Sequence, residues 1–303
     1  MSELPFLKTI DSEAAREALR DVSVIYTDLD GTLFSPGGKL LASYDGSPSF
    51  ATAEALVALR EAGFQIVIVT GRNRFQCNEF VRLLDVDAAI GEMGCTYQAR
   101  GAGELDYEYD TGTFEWDPDR YRTPYEAIAG SGAVEALFEE FAGRIEYNYP
   151  RCLNRDVTHA MRGLVDVDEV RAFFAREGYE LSFEDNGALY ALSPTLPDCP
   201  VIHGYHIVPA NTSKALAVRK DMERRGINPI QAVMIGDGVG DVEVGRYTGT
   251  FVMMVNGLRD ERSIRELESL ACNRLVTNSR SSDGWLEFAN VLLGRPTARP
   301  AEA

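Results

Sequence analysis

The feature that most constrains the fold is a β-branched run that ends in two aspartates. Residues 22–27 are rich in β-branched and aromatic side chains, as expected of a buried strand, and Asp28 and Asp30 follow directly. Carboxylates in such a place are unfavourable unless a cation compensates their charge, because burial disfavours ionised groups. The sequence therefore predicts a cation site at the carboxyl end of this strand.

The same arrangement recurs along the chain. Predicted strands at 64–69 and 232–235 also lead into polar clusters, and helical patterns separate the strands. The clusters are Thr70-Gly71-Arg72 and Gly236-Asp237-Gly-Val-Gly240-Asp241. This alternation predicts a parallel sheet with helices on both faces, and such sheets bind ligands at the carboxyl ends of their strands.

The pattern changes between residues 97 and 208. Short strand-like stretches mixed with helical patterns predict an antiparallel α+β insertion, and the α/β pattern resumes after it. We therefore predict a discontinuous α/β core over residues 1–96 and 209–294 and an inserted domain over 97–208. The Pro/Ala-rich tail, 295–303, is predicted to be disordered.

Two predictions inside the insertion are specific. A single helix is expected over residues 125–141. Strands are expected at 180–184 and 188–192, joined by a hairpin turn at Asn186-Gly187, because Asn-Gly is typical of two-residue hairpin loops.

A second acidic pair, Asp237 and Asp241, follows the strand at 232–235. If the acidic strand ends are neighbours, these carboxylates converge with those of Asp28 and Asp30. Mg²⁺ is the natural occupant, because it is a hard, octahedral cation that prefers oxygen ligands. The metal would also attract a phosphate to a chain whose formal charge is −17.

Groups that suit phosphate oxygens lie at further strand and helix ends. Thr70, Gly71 and Arg72 offer a hydroxyl, a backbone N–H and a guanidinium. Lys214, at the start of a predicted helix, would neutralise a transferring phosphoryl group. The sequence therefore predicts a phosphate-binding site beside the metal.

Two other motifs begin in the same way and fail further along. An EF-hand loop starting at Asp28 would need glycine in place of Leu33 and glutamate in place of Lys39. A dinucleotide-binding fingerprint starting at Gly236 would carry Asp241 in place of its third glycine. The whole set of clusters therefore favours a phosphate and metal site over these alternatives.

Together these residues resemble the four motifs of the haloacid dehalogenase superfamily. The matching segments are Asp28-Leu-Asp30-Gly-Thr-Leu33, Thr70-Gly-Arg72, Lys214 and Gly236-Asp237-Gly-Val-Gly-Asp241. The insertion resembles a C2-type cap, and residues 206–214 are similar to the cap-to-core return of the Cof-like, sucrose-phosphatase-like and mannosyl-3-phosphoglycerate phosphatase branch. The resemblance implies a Rossmann-like core that carries this cap.

The resemblance also implies a Mg²⁺-dependent phosphatase. In such an enzyme Asp28 is the nucleophile and forms an aspartyl-phosphate, while Asp30 is the acid/base. The implied metal residues are Asp28, Asp30 through its carbonyl, Asp237 and Asp241; the implied phosphate-binding residues are Thr70, Gly71, Arg72 and Lys214. One position departs from the branch, since Gly240 stands where many members carry asparagine, and an amide contact to substrate would be missing.

The cap is expected to select the substrate, a sugar phosphate or a phosphoglycerate-type metabolite. Its candidate contacts are the cationic or amide side chains Arg151, Arg155, His159, Arg162 and Asn186. A phosphomannomutase-like mutase stays open, because cap arginines would suit a second phosphate. A non-catalytic metabolite-binding protein is a further alternative, although it would not need both aspartates of the first motif.

Charge and composition bear on partners and location. The excess of acidic residues, 47 against 30 basic ones, disfavours nucleic acids and anionic membranes as partners. The N-terminus lacks the apolar stretch of a signal peptide, and the chain has no apolar run long enough to span a membrane. Five cysteines at long spacings, without a Cys-x-x-Cys pair, predict reduced thiols in a cytoplasmic protein.

Overall fold

Strands and helices alternate in the two flanks of the chain, as the sequence predicts. The structure is a computed structural model that describes residues 4–101, 103, 106–189 and 195–297. Of the tail predicted to be disordered, residues 298–303 lie outside this described part, and so do residues 190–192 of a predicted strand.

The first flank contains β1 (Lys8–Thr9), α1 (Glu13–Ala18), β2 (Val24–Thr27), α2 (Ala51–Glu61), β3 (Gln65–Val69), α3 (Arg74–Leu84), β4 (Ala88–Gly91), β5 (Thr96–Ala99) and β6 (Glu108–Tyr109). The middle of the chain forms α4 (Pro124–Gly130), α5 (Ala133–Glu140), β7 (Ile145–Tyr147), β8 (His159–Gly163), α6 (Val167–Glu177), β9 (Leu181–Leu189) and β10 (Ile202–Pro209). The second flank forms α7 (Lys214–Arg225), β11 (Ala232–Gly236), α8 (Val239–Val242), β12 (Thr250–Met253), α9 (Glu261–Ser269), β13 (Asn273–Val276) and α10 (Ser281–Leu292).

Both flanks contribute to one sheet with the strand order β1-β13-β12-β11-β2-β3-β4-β5-β6. In this order, each neighbouring pair from β1 through β13, β12, β11, β2 and β3 to β4 is parallel. Strands β5 and β6 extend the sheet with antiparallel pairs. Side chains of the central strand β2 alternate between two cores, with Ile25 facing α2 and α10 and Tyr26 facing α7. The predicted parallel core with helices on both faces is confirmed.

The insertion forms a second sheet with the order β7-β8-β10-β9, in which every pair is antiparallel. Apolar residues of α4, α5 and α6, among them Ile128, Leu137 and Phe174, pack against it. This confirms the predicted α+β cap. Strand β6 and nearly all of β5 lie within the range predicted for the cap, yet they pair in the first sheet. The boundaries at residues 96/97 and 208/209 therefore stay predictions.

The prediction of a single helix over residues 125–141 is wrong. The segment forms α4 and α5, which are separated at Ser131-Gly132. Gly132 has a φ of +83°, a left-handed conformation that ends the first helix. The Ser131 hydroxyl donates to the Ile128 carbonyl at 2.7 Å and closes the break.

The predicted hairpin turn at Asn186-Gly187 is also wrong, because both residues lie inside the continuous strand β9. Ala188 pairs with His203 and Asp185 pairs with Tyr205, so two residues of β9 face one residue of β10. This is a β-bulge, and the φ of +93° at Gly187 suits it. A bulge and a tight turn both need a residue with positive φ, and the dipeptide alone does not distinguish them.

No described helix has the length and apolar character needed to cross a bilayer. All five cysteines are free thiols, in agreement with the prediction that no disulfide framework is present.

Candidate active site

The carboxyl ends of β2, β3 and β11 meet at one edge of the first sheet, because these strands are adjacent and parallel. Asp28 follows β2, Thr70 follows β3 and Asp237 follows β11. Asp241 returns to the same point from α8, and ligand oxygens of Asp28, Asp237 and Asp241 all lie within 4.8 Å of one another. Three of the four aspartates predicted as metal residues thus converge.

Lys214 joins this cluster from the first turn of α7. Its Nζ donates to Asp28 Oδ1 at 2.9 Å and to Asp241 Oδ1 at 2.7 Å, and its side chain is only 5% exposed. The helix begins here because the Ser213 hydroxyl accepts from the Leu216 N–H at 3.1 Å, which caps the first turn. The helix start therefore directs an ammonium group at Asp28, the predicted nucleophile.

Burial dominates the electrostatics of the cluster. It raises the pKa of Asp28 to about 7, although Lys214 acts in the opposite direction. The pKa of Asp237 is raised well above its usual range by burial and by the neighbouring Asp28 and Asp241 carboxylates. Burial alone would lower the pKa of Lys214, but the two carboxylates that it contacts raise it. The site therefore has fewer positive than negative groups, with one ammonium for three carboxylates.

This donor set fits a divalent cation. Three carboxylates and the single ammonium group of Lys214 leave two formal negative charges in a buried site. The available ligand atoms are oxygens, which hard cations such as Mg²⁺ prefer. Asp28 and Asp237 are therefore the residues that would hold the metal, with Asp241, which already accepts from Lys214 and from two backbone N–H groups, supporting them.

Asn256 completes the site, and the sequence analysis did not identify it. Its Nδ2 donates to Asp237 Oδ2 at 2.8 Å and to the Gly31 carbonyl at 3.0 Å. The approach of the two loops is close, since a Cβ on Gly31, whose φ is +86°, would lie 2.2 Å from Asp237 Oδ2. The available signal was positional, because Asn256 comes just after the apolar run 250–255, as Asp28 comes just after the run 22–27.

The side chain of Asp30 does not join the three other aspartates. Arg72 donates to it twice, from Nε to Oδ2 at 2.8 Å and from Nη2 to Oδ1 at 2.7 Å. The guanidinium also lies over the rings of Phe34 and Phe80, at 5.5 and 5.1 Å. Asp30, with 55% of its side chain exposed, and Arg72 therefore form a pair at the rim of the site.

The turn after β3 is held from several directions. The Thr70 carbonyl accepts from the Met93 N–H at 3.2 Å, and the Thr70 hydroxyl accepts from the Arg72 N–H at 3.2 Å. The cap reaches Gly71, since an added Cβ there would lie 3.5 Å from both the Nδ2 and the Oδ1 of Asn186. The bulge in β9 thus brings one cap candidate against the predicted phosphate-binding turn.

Arg155 also reaches this turn, and its Nη2 donates to the Gly71 carbonyl at 2.9 Å. Arg151 is exposed, and its carbonyl accepts from Arg155 Nε at 2.9 Å. Arg162 donates to Glu146 at 2.7 Å within the cap sheet. Of the cap residues predicted to contact substrate, Asn186 and Arg155 are the two that lie against Gly71.

His159 lies inside the cap. It is fully buried and stacks on Tyr125 with a centroid separation of 3.7 Å. Its Nε2 pairs with the Tyr125 carbonyl at 3.0 Å, and its Nδ1 with the Tyr147 hydroxyl at 3.2 Å. Burial lowers the pKa of His159 to about 4. The structure therefore places this imidazole within the cap, away from the acidic cluster.

A second contact between cap and core lies next to Asn186. Arg262 of α9 donates to Asp185 Oδ2 of β9 at 2.9 Å. His203 of β10 pairs with the same carboxylate through Nδ1 at 3.0 Å. The hydrogen bond to Asp185 raises the pKa of His203, with burial acting against it, while Arg262 lowers and Asp260 raises it. The cap is therefore tied to the core on this side by charged groups.

His203 is expected to stabilise the protein more as the pH falls. Because its folded-state pKa is raised, its contribution is complete below the unfolded pKa of about 6.5 and is lost as the pH rises through the folded value. Thermal unfolding of wild type and His203→Gln should differ by roughly 0.5 kcal/mol at pH 5.5 and converge at pH 8.5. Asp185→Asn should remove this pH dependence, and a difference that is constant across the range would contradict the expectation.

The chain is similar in sequence and in fold to known phosphatases. The family model of haloacid dehalogenase-like hydrolases matches residues 25–103. Phosphoglycolate phosphatase of Archaeoglobus fulgidus is 25% identical over 270 residues, which cover 88% of this chain and 96% of that protein. Pyridoxal phosphate phosphatase YbhA of Escherichia coli is 44% identical over 64 residues, 21% of each chain. The structure of the sucrose-phosphatase of Synechocystis sp. PCC6803, in complex with sucrose and phosphate, superposes with a TM-score of 0.59 at 12% identity, covering 90% of this chain and 98% of that one.

The family match and the fold cover complementary parts of the site. The matched residues include the loops after β2 and β3, with Asp28, Asp30 and Thr70. The fold likeness extends over 90% of the chain, and thus over both sheets. The predicted assignment to an enzyme superfamily is confirmed. Residues 25–103 match the haloacid dehalogenase-like hydrolase family, and the chain shares its fold, inserted cap included, with a sucrose-phosphatase and with a sugar phosphatase of haloacid dehalogenase subclass IIB.

Proposed function

We propose that the protein is a Mg²⁺-dependent phosphatase that hydrolyses a small phosphorylated metabolite through an aspartyl-phosphate. The observation that carries the proposal is the position of Asp28, which shares a buried site with Asp237 and Asp241 and is contacted by Lys214. Two curated relatives named as phosphatases of small phosphorylated compounds support the reaction class. The fold likeness to a sucrose-phosphatase agrees with it.

In the proposed reaction a carboxylate oxygen of Asp28 forms a bond to phosphorus while the bond from phosphorus to the leaving oxygen breaks. Asp30 supplies the proton to that oxygen. It then accepts a proton from water, whose oxygen attacks phosphorus and releases inorganic phosphate from Asp28. Arg72 holds both carboxylate oxygens of Asp30 at the rim. One of these oxygens must leave Arg72 to contact the substrate during the proton transfers.

The phosphoryl oxygens would lie between Lys214 and the turn at Thr70 and Gly71. Lys214 is held by Asp28 and Asp241 before substrate binds, so that its charge is already in place. Bound Mg²⁺ would act as a Lewis acid that offsets the charge of the phosphoryl oxygens. Asp28 and Asp237 would hold it with the Asp30 carbonyl, and Asp241 would support them.

The substrate class follows from the cap. Asn186 presents an amide above Gly71, which suits hydroxyl or carboxylate oxygens of a sugar phosphate or a phosphoglycerate-type metabolite. A mutase would use cap arginines for a second phosphate, but Arg155 and Arg162 are paired with protein acceptors, which leaves Arg151 as the exposed one of the three. We therefore favour the phosphatase, with a small cytoplasmic metabolite as its partner.

The test is release of inorganic phosphate from a panel of phosphorylated metabolites, with Mg²⁺ and with EDTA. Release is expected with Mg²⁺ only. Mg²⁺ at about 100 times its Kd should also raise the unfolding free energy by roughly 2.7 kcal/mol in wild type, and much less in Asp237→Asn. No release from any compound, or release that EDTA does not affect, would refute the proposal. Stimulation by a sugar bisphosphate without net release would indicate the mutase.

A further inference from the structure

One buried carboxylate of the core holds the cap at the point where the chain crosses into it. Glu92 lies just after β4 and is fully buried. It accepts hydrogen bonds from the backbone N–H groups of Asp156, Val157 and Thr158 at 2.9, 3.1 and 2.8 Å, and from the Thr158 hydroxyl at 3.1 Å. These bonds join the strand end of the core to the loop before β8.

The backbone around Glu92 is strained in a way that serves the same contact. Glu92 and Met93 have φ values of +47° and +62°, a region that residues other than glycine rarely adopt. Such strain persists only where the surroundings fix it, and it is concentrated at functional sites. Here it turns the Glu92 carboxylate towards the cap loop, while the Met93 N–H donates to the Thr70 carbonyl.

Arg155 extends this contact to the predicted phosphate-binding turn. Its side chain is 5% exposed, and three of its nitrogens donate hydrogen bonds. Nε donates to the Arg151 carbonyl at 2.9 Å, Nη1 to the Thr158 hydroxyl at 2.8 Å and Nη2 to the Gly71 carbonyl at 2.9 Å. Glu92 lies 3.9 Å from Nη1 and balances the buried charge.

The Gly71–Arg72 peptide is consequently held at both ends. Arg155 binds its carbonyl, and the Thr70 hydroxyl accepts from its N–H at 3.2 Å. The preceding peptide, Thr70–Gly71, is held by the Met93 N–H, which donates to the Thr70 carbonyl. Among the described residues no acceptor contacts the Gly71 N–H, which leaves it available for a phosphate oxygen. This donor lies in the peptide that Met93 holds, and Arg155 fixes the peptide that follows it, so the turn that carries the donor is anchored on one side by a cap residue.

We propose that Arg155 is a positioning residue, which fixes the Gly71–Arg72 peptide and with it the turn that presents the Gly71 N–H to phosphate, so that the phosphate site is complete only when the cap is docked. This inference rests on the proposed phosphatase function. It differs from the prediction that Arg155 contacts the substrate, because the guanidinium is buried and committed to protein acceptors. A substrate contact would act on one leaving group, whereas a positioning residue acts on every phosphate ester.

The experiment compares wild type with Arg155→Met and with Arg144→Met, a matched control on the exposed surface of the cap. Turnover is measured on p-nitrophenyl phosphate and on the best metabolite of the panel, and inorganic phosphate is titrated as an inhibitor. Arg155→Met should lose kcat/KM by a similar factor on both esters, about 30-fold or more, because small errors of placement have effects of this size. Phosphate inhibition should weaken with it, and Arg144→Met should match wild type.

Millimolar guanidinium separates positioning from folding. Added guanidinium should restore part of the activity of Arg155→Met, because it can occupy the vacated space and donate to the Gly71 carbonyl. The activity of Arg155→Lys should lie between that of wild type and that of Arg155→Met. A loss confined to one ester, unchanged phosphate inhibition, or a lowered unfolding midpoint with no rescue would overturn the inference. Inactive wild type would refute the proposed function itself, whereas active wild type with an equally active Arg155→Met would refute only the role of Arg155.

Discussion

Asp28→Asn is expected to remove turnover, with a loss on the order of 10⁴-fold or more, as for other enzymes that lose their nucleophile. The side chain keeps its shape but cannot form the bond to phosphorus. Asp28 is buried and is contacted directly by Lys214. Phosphate release from the best substrate measures the loss, and Asp45→Asn, in an exposed loop, is the matched control that should keep full activity.

The same substitution should not destabilise the protein when metal is absent. Burial raises the pKa of Asp28 to about 7, which means that the folded protein disfavours its charged form. Asparagine removes that charge, and Lys214 keeps Asp241 as a partner. The unfolding midpoint of Asp28→Asn in EDTA should therefore equal or exceed that of wild type. Retained turnover would contradict the assignment of Asp28 as the nucleophile. An unfolded variant would contradict the view that burial disfavours the charged form of Asp28.

Lys214→Met is expected to have the opposite profile and to lose both stability and activity. Without the ammonium group, three carboxylates share a buried site, and no other cationic side chain in the described part of the chain forms an ion pair with them. Removing one partner of a buried ion pair typically lowers the unfolding free energy by about 3–5 kcal/mol. Turnover should fall by about 10²–10³-fold, because in the proposed reaction Lys214 would also offset charge on the phosphoryl group.

Denaturant unfolding in EDTA measures this effect. Lys220→Met, on the exposed part of the same helix, is the matched control and should stay within about 0.5 kcal/mol of wild type. Lys214→Met combined with Asp241→Asn should be more stable than Lys214→Met alone, because it removes one of the uncompensated charges. Mg²⁺ should stabilise the single variant strongly. Wild-type stability of Lys214→Met in EDTA would show that the three carboxylates are not ionised together.

The part of the site that the sequence could predict consists of residues placed by strand and helix ends. Asp28, Asp237 and Thr70 follow β-branched runs, and Lys214 opens a helix, so local patterns determine where they lie. The parallel sheet then brings these ends together. Local pattern and topology were sufficient for this part.

The remaining residues depend on contacts that no local pattern describes. Asn256 acts because β12 follows β11 in the sheet and brings its loop to Gly31, 225 positions earlier in the chain. Asp30 turns to Arg72 because that guanidinium is stacked on two rings from separate segments. His159 is enclosed because β8 is covered by α4 and carries it against Tyr125. Residue type alone suggested substrate contact for His159, but packing determined its surroundings.

The position of β2 in the sheet has a consequence for the order of events on the ribosome. Val24 of β2 pairs with Ala232 of β11, 208 positions later. One edge of the central strand therefore stays unpaired until the last third of the polypeptide has been synthesised. At 5–20 residues per second this delay is roughly 10–40 s. During that time an apolar strand edge is exposed to other nascent chains, a state in which aggregation competes with folding. The catalytic centre is therefore assembled near the end of synthesis, and truncated products that contain Asp28 should be insoluble and inactive.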